Sequence, residues 1–389
     1  MAEDTRLIHA GHHPQTGKPP SVTVSPVIQK GSTVLLPNAA ALYQDDTYIT
    51  YGRQGLATQD ALKDSLMALE NATGVELYPS GLAALTGAML AVLKSGDEVL
   101  VTDNIYKPTR RFCDKVLAQF GISTRYFDPS QSAEDLVSGA ASNVRLIVME
   151  SPGSLSFEMQ DMTAVAKLAR ARGMLTMVDN TWGAGYFYKP LDHGIDISVQ
   201  ALTKYVGGHS DVFMGSAAAK SPQIAQLLSD GVLNLGWAVS PEDAYQILRG
   251  LRTLPTRLAR HDASGRKIAT WLASRPEVKA VLHPALEAAP GHELWARDFT
   301  GACGLFGFIL HPASPAEVNA FHDALSIFGL GFSWGGFESL AIPCDAQLAP
   351  RSFLNSYGGP LVRLHVGLEN PDDLITDLEA GFTALHATP

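Results

Sequence analysis

Short apolar segments alternate with helical patterns between residues 75 and 200, and this alternation constrains the fold more than any other feature of the sequence. The apolar segments are rich in Val, Ile, Leu and Met. They span residues 75–78, 98–102, 145–149, 175–178 and 195–200. Near-continuous apolar strands separated by helices are typical of a mostly parallel sheet that is covered on both faces. The sequence therefore predicts an α/β fold with its ligand at the carboxyl ends of the strands.

The character of the sequence changes on both sides of this region. Residues 1 to about 50 are rich in Pro, Gly, Thr and His and show little periodicity, so they predict an extended arm and not a core element. After about residue 250, a shorter series of helices and strands predicts a smaller C-terminal α/β domain. A chain of 389 residues is also too long for one compact core. We therefore predict an arm over 1–54, a large domain over 55–250 and a small domain over 251–389.

Charge and apolar patterning restrict the partners of the chain. The 29 Lys and Arg residues are outnumbered by 39 Asp and Glu residues, and the net charge of −10 argues against nucleic acid or an anionic membrane as partner. The longest nearly apolar run, residues 81–93, is too short to span a bilayer and predicts a buried helix. The N-terminal residues lack the apolar core of a signal peptide, and three scattered cysteines form no disulfide framework. These features predict a cytoplasmic protein.

A lysine and an aspartate follow neighbouring predicted strands. Asp179 follows strand 175–178 and Lys204 follows strand 195–200, so both fall on the same edge of the sheet. Either residue alone has an ordinary explanation, as a solvated lysine or a turn aspartate. Pyridoxal phosphate needs both, because a lysine amine binds it as a Schiff base and a carboxylate keeps its pyridine nitrogen protonated. The pair therefore indicates this cofactor.

Ser80, Gly81 and Leu82 lie where a predicted strand ends and a helix begins. The unpaired N–H groups and positive dipole end of such a helix favour a phosphate, and glycine permits close approach. Two other segments resemble ligand-binding motifs but lack a required residue. Residues 329–331 lack the third glycine of a dinucleotide loop, and His292 lacks the second histidine of a zinc helix. The sequence therefore predicts an anion site and no metal site.

These residues and several further motifs together resemble the Cys/Met-metabolism family of pyridoxal-phosphate enzymes. The resemblance covers almost the whole chain. The matching motifs are Tyr51-Gly-Arg53, Ser80-Gly-Leu-Ala83, Glu150-Ser-Pro-Gly153, Val178-Asp-Asn-Thr181, Thr203-Lys-Tyr205, Gly208-His-Ser-Asp211, Phe332-Ser-Trp-Gly-Gly-Phe-Glu-Ser-Leu340 and Arg363-Leu-His-Val-Gly-Leu-Glu369. The resemblance implies the fold of type I pyridoxal-phosphate transferases, with the cofactor in the large domain.

The resemblance also implies which residues bind the cofactor. They are Tyr51, Arg53, Gly81, Leu82, Tyr106, Asp179, Thr203 and Lys204. The ring of Tyr106 would stack on the pyridine ring, and the backbone at Gly81 would hold the phosphate. Arg53, with the tyrosine two positions before it, would reach the phosphate of a neighbouring subunit. This implies a homotetramer built from dimers with shared active sites.

The same resemblance implies the substrate contacts and the catalytic residues. Arg363 would bind the substrate α-carboxylate, because a guanidinium offers two parallel donors to a carboxylate. Ser333 and Trp334 would lie beside it. Lys204, its pKa lowered by burial, would abstract the Cα proton, and either Lys204 or Tyr106 would protonate the leaving sulfur.

Three differences from the related γ-lyases and γ-synthases favour cleavage on the β side. Ala201 replaces a serine that commonly helps to hold the phosphate, which leaves Thr203 as the hydroxyl for that contact. The motif at 150–153 replaces Ser-Pro-Thr-Asn, and Trp334 replaces a leucine. The resemblance thus implies a carbon–sulfur lyase that cleaves L-cystathionine by α,β-elimination to homocysteine, pyruvate and ammonia, in methionine biosynthesis.

Alternatives remain for the substrate and the activity. They are a γ-lyase or sulfhydrylase on the same fold, a β-lyase of cystine or another cysteine S-conjugate, and a cofactor-binding regulator without turnover. Racemisation as a side activity is also open. Lys107, Arg110 and Arg111 either face the substrate or form the solvated start of a helix, which the sequence slightly favours.

Overall fold

The structure is a computed structural model that describes residues 2–11, 23–44, 48–353 and 357–387. Its helices are α1 (Glu3–His9), α2 (Ala57–Glu70), α3 (Gly81–Val92), α4 (Lys107–Lys115), α5 (Ala133–Ser138), α6 (Met162–Ala171), α7 (Pro222–Leu235), α8 (Pro241–Leu251), α9 (Leu254–Ala273), α10 (His292–Asp298), α11 (Pro315–Asp323), α12 (Asp345–Leu348) and α13 (Pro371–Ala387). Its strands are β1 (Gly74–Tyr78), β2 (Glu98–Thr102), β3 (Ser123–Phe127), β4 (Val144–Glu150), β5 (Leu175–Asp179), β6 (Ile197–Ala201), β7 (Gly215–Ala219), β8 (Val278–Leu282), β9 (Leu305–Leu310), β10 (Gly329–Leu330), β11 (Leu340–Pro343) and β12 (Leu361–His365).

Seven strands form a large sheet in the order β1-β7-β6-β5-β4-β2-β3. The neighbours from β6 to β3 run parallel, whereas β7 is antiparallel to the strands on both its sides. The predicted mostly parallel sheet is therefore confirmed. Strand β7 reads Gly-Ser-Ala-Ala-Ala, a sequence of low strand propensity, and it forms because it is buried between two neighbours.

Alternate residues of the central strands enter two different cores. In β4, Leu146 and Val148 pack with α3, α4 and α7 on one face of the sheet, whereas Ile147 and Met149 pack with α2 and α6 on the other. Because successive side chains of a strand point to opposite faces, a sheet covered on both sides requires uninterrupted apolar strands. The predicted buried helix at 81–93 is α3.

The other five strands form a small sheet in the order β10-β11-β12-β9-β8. Helices α9, α11 and α13 pack on it and form a third core. Helix α9 joins this core to the large-sheet core around α2 and α6, because Ile268 lies in the former and Leu258 in the latter. The sequence pattern predicts a helix over residues 316–328, but α11 ends earlier, at Asp323. The Asp377 carboxylate accepts the backbone N–H groups of the next turn, residues 326–328, and so favours a non-helical path there. The domain boundaries at 54 and 250 stay predictions.

The N-terminal arm contains a core element. Leu7 of α1 is fully buried beside α2, and Arg252 Nη1 donates to its carbonyl at 2.8 Å. The prediction of an arm without core contacts is therefore wrong at α1, because a single buried leucine in a short helix makes no recognisable period. Residues 1, 12–22 and 45–47 of the predicted arm lie outside the described residues.

Cys113, Cys303 and Cys344 are all buried, and none of them forms a disulfide. Each packs as a small apolar residue. Among the described residues, no helix combines the length and the apolar character that crossing a membrane requires.

Candidate active site

The carboxyl ends of three parallel strands bring charged side chains to one edge of the large sheet. Glu150 ends β4 and pairs in register with Asp179, which ends β5. Because residues at matching positions of neighbouring strands project to the same face, the two carboxylates stand side by side. Strand β6 ends at Ala201, and Lys204 lies in the turn that follows. The structure thus places Asp179 and Lys204 on one sheet edge, as the sequence predicts.

These side chains line a cavity of about 580 Å³, which we call the inner chamber. It brings together eight of the predicted site residues: Gly81, Leu82, Tyr106, Asp179, Thr203, Lys204, Ser333 and Trp334. The last two belong to the loop 331–339 between β10 and β11. The inner chamber therefore lies where a loop of the small sheet meets the edge of the large sheet.

The Lys204 amine is confined by its neighbours. Its Nζ donates to Ser333 Oγ at 2.8 Å and lies 5.3 Å from the ring centre of Trp334. Burial, reinforced by the positive charge of Arg363, lowers the pKa of Lys204 to about 8, and Asp179 opposes this only in part. A much larger fraction of this amine is neutral and nucleophilic at physiological pH than of an exposed lysine.

Asp179 is held in place by Thr181. Its Oδ1 accepts the Thr181 N–H at 3.0 Å and the Thr181 hydroxyl at 2.5 Å, and that hydroxyl in turn accepts the N–H of Ala201 at 2.9 Å. Burial raises the pKa of Asp179, while the bonds from Thr181 act in the opposite direction. A cationic group of a ligand beside this carboxylate would favour its ionised form.

Helix α3 begins at the wall of the inner chamber. Ser80 Oγ caps the helix by accepting the N–H of Ala83 at 3.1 Å, whereas the N–H groups of Gly81 and Leu82 have no acceptor among the described residues. A Cβ on Gly81 would lie only 2.4 Å from the Cβ of Ala201, so the close packing of helix and strand requires glycine. The two N–H groups and the helix dipole are suited to an anion at the place where the sequence predicts one.

Tyr106 precedes α4 and presents its ring to the inner chamber. Its backbone N–H donates to Glu150 Oε2 at 2.7 Å. Burial raises the pKa of the Tyr106 phenol, and the charges of Asp179 and Glu150 raise it further. Burial and Asp179 also raise the pKa of Glu150 well above its usual value. Glu150 is a site residue that the sequence reasoning did not single out, although its place at a strand end is a usable signal.

A second cavity, of about 400 Å³, adjoins the inner chamber and shares Tyr106, Lys204 and Trp334 with it; we call it the outer chamber. Arg363 of β12 lies in its wall and is almost wholly buried. The Arg363 Nη2 donates to the Ser333 carbonyl at 3.0 Å, and its Nε has no partner among the described residues. A buried guanidinium with spare donors is suited to binding a carboxylate.

The basic residues after Tyr106 occupy different environments. Arg110 is buried, and its Nη2 donates to Asp103 Oδ1 at 2.5 Å. Lys107 is exposed and lines the outer chamber, and Arg111 is exposed outside both chambers. The prediction that all three form the solvated start of a helix is therefore wrong for Arg110, which makes a buried ion pair.

The chain as a whole matches a known family. The family model described as Cys/Met metabolism PLP-dependent enzyme, in which PLP is pyridoxal phosphate, matches residues 4–383. The chain belongs to this family. It is 45% identical to a putative cystathionine β-lyase from Rhizobium johnstonii, over 99% of this chain and 96% of that protein. It is 39% identical to a cystathionine β-lyase from Escherichia coli, over 98% of each.

A solved structure confirms the fold. The cystathionine γ-synthase from Xanthomonas oryzae pv. oryzae superposes with a TM-score of 0.91 at 31% identity, over 100% of both chains. The predicted resemblance to the Cys/Met metabolism PLP-dependent enzymes, and the type I fold that it implies, are thus confirmed.

As a Cys/Met metabolism PLP-dependent enzyme, the protein uses pyridoxal phosphate, and the inner chamber fits that cofactor. The Lys204 amine suits its aldehyde, and the Asp179 carboxylate suits its ring nitrogen. The unpaired N–H groups of Gly81 and Leu82 suit its phosphate, and Tyr106 offers an aromatic face.

Three of the phosphate contacts expected from the family are not in place within one chain. Thr203 lines the inner chamber, but its hydroxyl donates to the Met214 carbonyl at 3.2 Å and accepts the Met214 N–H at 3.0 Å. Arg53 lies outside both chambers, and its Nη1 donates to the Leu233 carbonyl at 3.0 Å. Tyr51 is likewise outside both chambers and half exposed. A contact from Tyr51 and Arg53 to a neighbouring subunit stays a prediction.

Proposed function

We propose that the enzyme is a cystathionine β-lyase, which converts L-cystathionine and water to homocysteine, pyruvate and ammonia. The observation that carries this proposal is the position of Lys204 where the two chambers meet, with Trp334 beside its amine and the buried Arg363 nearby. Full-length relatives of this name, at 45% and 39% identity, support the choice.

Four residues of the chambers bind and orient the reactants in this proposal. When bound, pyridoxal phosphate supplies an electron sink that makes the Cα proton of an amino acid removable. Asp179 would hold the ring nitrogen of the cofactor, and the N–H groups of Gly81 and Leu82 would hold its phosphate. Arg363 binds the substrate α-carboxylate and thereby places Cα within reach of the Lys204 amine.

Lys204 moves the proton. With a pKa of about 8, its amine accepts a proton from Cα at neutral to mildly alkaline pH. As the Cβ–S bond breaks, the sulfur of homocysteine takes a proton from Lys204 or from Tyr106. The phenol of Tyr106 has a raised pKa and stays protonated at neutral pH, so it is able to donate a proton but not to accept one. Ser333 accepts a hydrogen bond from the Lys204 amine and orients it.

Trp334 supports elimination at Cβ in preference to Cγ. Its ring packs 5.5 Å from the ring of Tyr205 and forms an apolar wall beside the Lys204 amine. A wall there limits how far the Lys204 amine can move from Cα towards Cβ. The γ-elimination requires a further proton transfer at Cβ, whereas the β-elimination needs only the transfers at Cα and sulfur.

The products of cystathionine cleavage test this proposal. We expect equal amounts of pyruvate and homocysteine, whereas 2-oxobutyrate and cysteine would identify a γ-lyase. Pyruvate release from cystathionine, cystine and methionine measures the substrate preference. Lys204→Ala should abolish turnover, and full activity in a folded Lys204→Ala enzyme would overturn the scheme. Bound cofactor without pyruvate from any of these substrates would indicate a regulator.

The same proposal includes a homotetramer of dimers that acts in the cytoplasm, in methionine biosynthesis. Tyr51 and Arg53 support it, because they are family cofactor residues that lie outside the chambers of their own chain. Mixing inactive Arg53→Ala subunits with inactive Lys204→Ala subunits should restore part of the activity if two subunits share each site. Light scattering measures the number of subunits.

A further inference from the structure

The outer chamber is strongly cationic, although the protein as a whole is acidic, with a net charge of −10. Five cationic side chains lie in its wall: Lys107, Arg110, Lys204, Arg351 and Arg363. No Asp or Glu of the described residues lies in that wall. A concave site with charges of one sign favours a ligand group of the opposite sign.

Two of the five cations, Arg110 and Arg351, are neutralised by carboxylates that do not line the chamber. The fully buried Asp103 accepts Arg110 Nη2 at 2.5 Å and Arg351 Nε at 3.3 Å, and Glu158 Oε1 accepts Arg351 Nη2 at 3.0 Å. Two arginines and two carboxylates leave no net charge. Arg110 and Arg351 therefore shape the wall without offering a free charge to a ligand.

Within the part of the chain that the structure describes, Lys107 is the one cation of this wall that is neither neutralised by a carboxylate nor used at the reacting end of the substrate. Lys204 and Arg363 act at the reacting end of the substrate, whereas Lys107 has no hydrogen bond or ion pair among the described residues. It is the first residue of α4, a position at which the helix dipole disfavours a cation, and the first turn of α4 contains no acidic residue. The N-terminal end of the helix thus makes the electrostatic potential around Lys107 more positive.

We propose that the outer chamber binds the distal end of the substrate and that Lys107 there pairs with a distal carboxylate. This inference rests on the proposed β-lyase function and specifies its substrate class. The enzyme then prefers S-substituted cysteines whose leaving group carries a negative charge. The neighbouring Tyr106 N–H, held by Glu150, anchors the backbone from which Lys107 extends.

Three cysteine conjugates of nearly equal length test the proposal on the holoenzyme. S-(2-carboxyethyl)-L-cysteine has a distal carboxylate, S-propyl-L-cysteine has a neutral end, and S-(2-aminoethyl)-L-cysteine has a distal ammonium. Pyruvate release should give the highest kcat/KM for the carboxylate, about tenfold above the neutral conjugate, with the ammonium conjugate lowest. Equal kcat/KM for the carboxylate and ammonium conjugates would overturn the proposal.

Variants at Lys107 assign the preference to that residue. Lys107→Met should remove the advantage of the carboxylate, Lys107→Arg should keep it, and Lys107→Glu should reverse the order. Lys115→Met is the matched control, because Lys115 is an exposed lysine of the same helix outside both chambers. An unchanged order in Lys107→Met would refute the role of Lys107. Absence of pyruvate from all three conjugates and from cystathionine in the unmodified enzyme would instead refute the proposed function.

Discussion

At the scale of the residue, the proposed chemistry depends on how Lys204 is buried. An ammonium with the ordinary lysine pKa of 10.5 is almost fully protonated at neutral pH, and a protonated amine neither attacks an aldehyde nor accepts a proton. The inner chamber changes this by removing water from around Nζ and by placing Arg363 close enough to repel a second positive charge.

This shift predicts a pH dependence for cofactor uptake. The rate at which the cofactor-free enzyme binds pyridoxal phosphate should rise with pH up to about 8 and then level off, because only the neutral amine reacts. Rapid-mixing absorbance measures this rate. A rate that still rises towards pH 10.5 would show an unperturbed lysine.

The same pKa shift predicts a pH dependence of stability. The free energy of unfolding of the cofactor-free protein should rise between about pH 8 and pH 10.5, because in this range the unfolded chain still binds the proton that the folded protein has lost.

Sequence reasoning at this scale succeeded where a residue has a fixed place on a strand. Asp179 and Lys204 were predictable because each follows a strongly apolar segment, and parallel strands bring such positions together. The burial of Arg110 was not predictable. Its buried partner Asp103 lies on the preceding turn, and nothing in the local pattern shows that the start of the helix faces inward. Thr203 was predicted to offer its hydroxyl to the phosphate. In the structure this hydroxyl bonds to the backbone of Met214, the residue before β7, and the phosphate contact stays a prediction.

At the scale of the element, the start of α3 is fixed by contact with the end of β6. Gly81 is the residue at this contact, and the helix could gain intrinsic stability from alanine there, by up to about 1 kcal/mol. The packing forbids it, because the added Cβ would lie 2.4 Å from the Cβ of Ala201 and 2.9 Å from its Cα. The anion site therefore depends on a contact between elements and not on the helix alone.

Gly81→Ala should weaken binding of pyridoxal phosphate by about tenfold or more, because the N–H groups at the helix start must move. Equilibrium titration followed by absorbance measures the dissociation constant, and circular dichroism checks the fold. The double variant Gly81→Ala/Ala201→Gly removes the nearer clash and should recover part of the affinity. An unchanged dissociation constant in the single variant would contradict the packing argument.

The elements themselves were predictable to different degrees. The periodic pattern from about residue 57 to 70 predicts a helix, and α2 lies there. It ends at Asn71, which adopts the left-handed conformation that stops helices. Strand β7 was not predicted, since Gly-Ser-Ala-Ala-Ala carries no strand signal and its form comes from its two neighbours. The short helix α1 was missed for the same reason, because its one buried residue is held by tertiary contacts.

At the scale of the whole molecule, Asp103 links the large sheet to the segment that follows α12. Besides the arginines, its carboxylate accepts the N–H groups of Ser352 at 2.9 Å and Phe353 at 3.0 Å. Burial alone would raise the pKa of Asp103, but these N–H groups and Arg110 lower it below its usual value. The link is therefore complete at neutral pH and is lost as the pH falls through this lowered pKa.

Asp103→Ala should destabilise the enzyme by about 3–5 kcal/mol, because it leaves buried arginine charges without their partner. It should also raise KM, since Arg351 in the wall of the outer chamber loses a contact that positions it. Urea denaturation measures the first effect and steady-state kinetics the second. Asp103→Asn keeps the shape and an acceptor oxygen, so its losses should be smaller. Stability equal to that of the unmodified enzyme in Asp103→Ala would show that the link contributes nothing.

The sequence predicted the two-sheet plan but not this link. The plan follows from local periods that most of the central strands and helices show in their own sequence. The link joins residues 248 and more positions apart, and neither end carries a motif. Contacts of that kind, which also decide the charge of the outer chamber, become visible only when the fold is assembled.

The burial of all three cysteines has a consequence for an enzyme that handles sulfur. Burial raises the pKa of the thiols of Cys113, Cys303 and Cys344 to about 12 each. Exchange with a disulfide requires a thiolate that is accessible, and these thiols meet neither condition at neutral pH. The catalyst can therefore release a free thiol, and work in the presence of cystine, without forming mixed disulfides with either.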